Sequence, residues 1–83
     1  MARVVGVPSY TMQQLAAFVA VADTGTITAA ATRLGLSATA VRAAIDELER
    51  ILGVQLCVRR WAKGVTLTSA GQAMLAKARV VLH

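Results

Sequence analysis

The run from Thr26 to Glu49, TITAAATRLGLSATAVRAAIDELE, leaves this chain few ways to fold. It reads as two helices joined by a very short turn. Thr26 or Thr28 can cap the first helix through its hydroxyl. Ala30, Ala31 and Leu34 give that helix one small apolar face. Gly35 can take the left-handed conformation that ends it, and Leu36 then points back into the core. Ser37 is a good N-cap for the second helix. Val41, Ile45, Leu48 and Leu52 recur at steps of four, three and four, which is one face of a helix. A short small-faced helix, a glycine-containing turn and a longer second helix make a helix-turn-helix. In that motif the second helix enters the DNA major groove and offers its N-terminal residues to base edges.

Composition narrows the partners. The chain has 83 residues, enough for one small domain, and at 57% hydrophobic it can build a core with few aromatics. A net charge of +5 and a pI of about 10.8 favour a polyanion. The charge is uneven: no acidic residue follows Glu49, whereas Arg50, Arg59, Arg60, Lys63, Lys77 and Arg79 all do. A single cysteine, Cys57, excludes an internal disulfide and gives no metal cluster. His83 has no Cys, Asp or second His near it, so no metal is expected. An export signal is weighed against the uncharged run Val4 to Ala22, which ends in the cleavage-like Ala20-Val21-Ala22. Pro8, Ser9, Gln13 and Gln14 interrupt it, and what remains from Leu15 is too short for a signal core or a bilayer span. The expectation is a cytoplasmic protein without a membrane partner.

Residues 1–10 read as a mobile arm with a turn at Pro8-Ser9, from which Arg3 could reach DNA. Thr11 and Gln14 form a capping box. Leu15, Phe18, Val19 and Ala22 then make a helical stripe to about Ala22, with Phe18 in the core and Asp23-Thr24-Gly25 as the exit. The third helix is split in charge. Ser37, Thr39 and Arg42 lie in its first half, Asp46, Glu47 and Glu49 in its second, so the acidic half should lie away from a duplex. Val54 to Arg59 reads as a strand with Val54, Leu56 and Val58 on one face, and Val65 and Leu67 repeat the alternation after Gly64. The loop Arg60 to Gly64 makes this a basic hairpin beside a helix-turn-helix, which is a wing. Arg59, Arg60 and Lys63 are expected to meet phosphates or a minor groove, and Trp61 to pack over the hairpin. Thr68 caps a last helix from Ser69 to about His83. Its broad apolar face holds Met74, Leu75, Ala78, Val81 and Leu82, part of which can cover the core while the rest implies a partner helix.

From Met12 to Leu82 the chain resembles the N-terminal DNA-binding domain of LysR-type transcriptional regulators. The segment MQQLAAFVAVADTGTITAAATRLGLS is similar to that family's opening, AVRAAIDELERILGVQL to its recognition helix, and VRRWAKGVTLTSAG to its wing and the start of its linker helix. Several consecutive motifs at matching spacing carry the likeness. The run after Ser37 departs from it: Ala38 and Ala43 stand where the family usually has glutamine and arginine. Arg42 lies one position early, about 100° round the helix. Cys57 replaces the usual phenylalanine and reads as a smaller core residue.

The resemblance implies a mainly α fold. A winged helix-turn-helix with a two-stranded wing would span 11–68, and a dimerisation helix 69–83. It implies a homodimer made by antiparallel packing of the last helices, double-stranded DNA with an inverted-repeat operator, and a small-molecule effector bound by a C-terminal domain absent here. No cofactor is expected in this chain. The expected DNA-binding set is Thr26, Thr28, Ser37, Ala38, Thr39, Arg42, Arg59, Arg60 and Lys63, with the recognition helix at about 37–52 and the wing at 59–64. A different class of reading is a helical module that dimerises or binds protein through Met74, Leu75, Val81 and Leu82. It leaves the basic wing and the charge split unexplained. A winged-helix domain of another regulator, such as the molybdate-responsive type, is the nearer alternative. No nucleophile–base pair, paired carboxylates or phosphate loop points to an enzyme.

Overall fold

The computed structural model describes residues 10–60 and 64–82, the side chain of Leu82 excepted. The elements are α1 (Met12–Thr24), α2 (Ile27–Leu34), α3 (Ala38–Leu52), β1 (Cys57–Arg60), β2 (Gly64–Leu67) and α4 (Ser69–Leu82). Each helix starts at a hydroxyl. Thr11 accepts from the Gln14 amide while the Gln14 side chain accepts from the Thr11 amide, a complete capping box. Thr26, not Thr28, caps α2 through the Ala29 amide at 3.0 Å. Ser37 caps α3 through Ala40 at 3.0 Å, and Thr68 caps α4 through Gly71 at 2.9 Å. Gly35 ends α2 at φ +70, and the Leu36 amide then donates to the Ala31 carbonyl at 3.0 Å, which turns Leu36 back against the core.

Helix α1 is the centre of the fold. Leu15, Phe18 and Val21 are fully buried, and so are Ala17 and Ala20, because α2, α3 and α4 all pack on it. The one-sided stripe expected from Leu15, Phe18, Val19 and Ala22 is therefore too narrow; Val19 and Ala22 are only half-buried. Of the three extra buried positions, Ala17, Ala20 and Val21, two are alanines, which let neighbouring helices approach closely. Val41, Ile45 and Leu48 carry the inner face of α3 as expected. Truncating Phe18 to Ala would cost about 3–5 kcal/mol, since no part of its ring reaches solvent.

The wing begins later than its alternation suggests. Val54 lies outside any strand, β1 starts at Cys57, and both Val54 and Val58 are exposed while Leu56 and Cys57 are buried. The cause is Glu49, whose carboxylate accepts from the Leu56 and Cys57 amides at 2.7 and 3.0 Å and bends the chain there. Strands β1 and β2 pair antiparallel, Cys57 opposite Leu67 and Arg60 opposite Gly64. The Val65 amide donates to the Gly25 carbonyl at 2.8 Å, tying the wing to the turn between α1 and α2.

Helix α4 lies across α1 and β2. The Thr68 amide donates to the Leu56 carbonyl at 3.0 Å, and Gly71 sits so close to the same carbonyl that no larger residue fits. Ala78 is fully buried against the body, and Met74 and Leu75 are half-buried against the core. Among the described side chains, the large apolar ones that α4 turns outward are Val80 (79% exposed) and the expected Val81 (55%). Asp23 at the end of α1 accepts from Arg79 at 2.5 Å and faces Arg33 at 3.6 Å. Among the described residues no helix is long and apolar enough to cross a membrane.

Candidate nucleic-acid interface

The turn at Gly25 and the bond from Val65 bring three elements around one cleft. The start of α2 contributes Thr26, Ile27 and Thr28, and α3 contributes Arg42. The wing contributes Arg59, Arg60, Gly64 and Val65. Of the expected DNA-binding residues, Thr26, Thr28, Arg42, Arg59 and Arg60 thus share one concave surface. Ser37, Thr39, Arg42 and Ala43 are exposed along the first half of α3, and Ala38 is half-buried. Lys63, Trp61 and residues 1–9 of the expected arm, Arg3 among them, lie outside the described residues, whereas Tyr10, the last of that arm, packs against the core.

The electrostatics of the cleft follow from where the carboxylates go. The chain has four, and all are engaged by its own groups. Asp23 holds Arg79 and Arg33. Glu47 pairs with Arg50 one turn on; that hydrogen bond lowers the Glu47 pKa and raises that of Arg50. Glu49 accepts the two amides at the base of the wing. Asp46 accepts from the Arg59 guanidinium at 2.6 Å. Arg42 and Arg60 have no ion-pair partner among the described residues. The cleft therefore presents two uncompensated guanidinium groups beside the start of α2, where the helix dipole is positive. Such a surface attracts a phosphodiester and can also offer a donor fork to a base edge.

Arg59 is placed differently from the expectation that it meets a phosphate. Its guanidinium turns to α3, 2.6 Å from Asp46 and 3.9 Å from Glu49. The sequence holds a faint signal for this. Asp46 and Glu49 stand three residues apart on one helical face, and strand alternation puts Arg59 and Arg60 on opposite sides. Asp46 and Glu49 of the acidic half of α3 thus face the wing, which neutralises part of their charge.

Cys57 is 3% exposed, and burial together with the Glu49 charge pushes its thiol up to about 11. It is a core residue, as its sequence context suggests, and a poor nucleophile at neutral pH. Among the described residues no group of three His, Cys, Asp or Glu side chains could hold a metal ion.

Comparison with known proteins agrees with this geometry. The family described as bacterial regulatory helix-turn-helix protein, lysR family, matches residues 12–72. The HTH-type transcriptional regulator ClcR of Pseudomonas putida is 46% identical over 71 residues, covering 86% of this chain and 24% of that protein. The regulator TfdS of Cupriavidus pinatubonensis is 49% identical over the same length, with the same coverage of each. The chain therefore spans about a quarter of the length of the curated relatives it matches. Among solved structures, the CbnR_DBD–DNA complex superposes with a TM-score of 0.83 at 42% identity, covering 87% of this chain and 82% of that one.

Proposed function

The chain belongs to the lysR family of bacterial regulatory helix-turn-helix proteins, and from that premise we propose that it binds double-stranded DNA sequence-specifically as the DNA-binding part of a transcription regulator. The first half of α3 lies in the major groove, with Ser37, Ala38, Thr39 and Arg42 nearest the bases. Thr26, Thr28 and Arg60, with Lys63, meet the backbone or the adjacent minor groove. The observation that carries this reading is the shared cleft in which Arg42 and Arg60 stand uncompensated while every carboxylate is held by the protein itself. The likeness to CbnR, whose DNA-binding domain is solved in complex with DNA, supports DNA as the partner.

The working unit is a homodimer joined through α4, on an inverted-repeat operator in the cytoplasm. The exposed Val80 and Val81 on a helix otherwise packed on its own body support that assembly. A small-molecule effector would act through a further domain of the kind that fills the remaining length of the relatives. Selection from a random duplex pool tests the reading. The expected product is an enriched inverted repeat whose affinity falls with salt at about 0.9 log units per phosphate contact. A pool that emerges unenriched overturns it.

A further inference from the structure

We propose that Arg59 serves DNA binding by holding Asp46 away from Arg42, and does not itself touch the duplex. The inference rests on the DNA-binding reading above and assigns Arg59 as a positioning residue. Asp46 follows Arg42 by four residues on α3, so the two side chains stand one above the other on one helical face. Opposite charges at that spacing can pair, although the order with the acid first is the more favourable one. Here they do not: the Asp46 carboxylate accepts from Arg59 across the gap to the wing, 2.6 Å away, and Arg42 has no partner among the described residues. Both arginines line the cleft, and the Asp46 side chain is 55% exposed beside it.

Remove Arg59, and Asp46 has two cations within its own helical reach, Arg42 and Arg50, of which Arg50 is already held by Glu47. Pairing with Arg42 would take the donor fork that a base edge needs and would set a carboxylate where a phosphate approaches. Glu49 would not do the same, because the Leu56 and Cys57 amides hold its carboxylate at 2.7 and 3.0 Å. The consequence of losing Arg59 therefore runs through Asp46 alone.

That gives the test a sign. Affinity is measured by fluorescence anisotropy on a labelled duplex selected from a random pool by the unmutated chain, for Arg59→Ala, Asp46→Asn and the double variant. Arg59→Ala should weaken binding, and Asp46→Asn should then recover on the order of tenfold, within the range for residues in direct contact. In the unmutated chain Asp46→Asn should tighten binding by much less. The salt slope should be the same with and without Arg59. If Arg59 is instead a phosphate contact that Asp46 restrains, Asp46→Asn tightens binding most when Arg59 is present. Arg59→Ala then also lowers the slope by about 0.9, and either result overturns the proposal. Should Arg59→Ala unfold, Arg59→Gln keeps the aliphatic stem and an amide donor without the charge and goes through the same cycle. An unmutated chain that binds no duplex overturns the DNA-binding reading itself. Intact binding with no rescue overturns only the role given to Arg59.

Discussion

Gly64 lies so close to the turn between α1 and α2 that a Cβ built on it would stand 2.5 Å from the carbonyl oxygen of Gly25. The same carbonyl receives the Val65 amide, so the wing meets the helical body here through backbone alone. Gly64 also sits at φ +82, a conformation that side chains disfavour. Gly64→Ala should lower the unfolding free energy by at least about 1–3 kcal/mol from the backbone strain alone. In a domain of this size each kcal/mol should appear as roughly 4–8 °C of melting temperature. A melt that matches the parent within error would show that the wing does not depend on this contact.

Arg42 should read sequence. Its donor fork matches O6 and N7 of guanine, whereas Ala38 and Ala43 offer only methyl groups and Thr39 one hydroxyl. Arg42→Ala should cost about 1–3 kcal/mol at one base pair of each half-site and little elsewhere. Binding to a panel of single-base operator variants checks it. Equal losses across the panel would make Arg42 a backbone contact.

Cys57 should make stability depend on alkaline pH. Its thiol titrates at about 11 in the fold against an ordinary 9.0, so the folded chain binds more protons between those values. The contribution is fully present below pH 9 and is lost as pH rises through 11, at no more than about 1.4 kcal/mol per pH unit. Urea melts at a series of pH values should show the fall, and Cys57→Ala should flatten it. Parallel curves for the two proteins would remove Cys57 as the source.

Val81→Glu should give monomers by sedimentation while leaving the melting of the protomer close to that of the parent, because Val81 is exposed on α4. Ala78→Glu should instead unfold the protomer, since Ala78 has no exposed surface and a carboxylate there would be buried without a partner. If Val81→Glu remains a dimer at the parent's concentration dependence, the seam lies elsewhere on the surface.

The helix boundaries were legible because they are local. Thr11, Ser37 and Thr68 each bond an amide three residues on, and Gly25, Gly35 and Gly53 end helices in the left-handed region. The face of α3 was legible for the same reason. Where the sequence misled, a distant residue intervened. The alternation of Val54, Leu56 and Val58 imitates a strand, but Glu49 reaches across seven residues to fold the chain at Leu56. Arg59 reads as a free cation because its partner Asp46 is thirteen residues away. Ala78 belongs to the apolar face of α4 by period, yet only the packing on α1 decides that this part of the face turns inward. Among the DNA-facing candidates, Thr26, Thr28, Arg42 and Arg60 converge on one cleft, and nothing in their spacing along the chain announces that the wing folds back beside α2.

Asp23 receives Arg79 from α4 on one carboxylate oxygen and faces Arg33 from α2 with the other. One side chain at the end of α1 thus joins three helices at a single point, and Ala78, one residue before Arg79, is fully buried. A hinge needs a joint that yields, and this one is braced by packing. A torque applied to α4 is therefore passed to α1 mainly through the packing of Ala78, with these half-exposed ion pairs adding little.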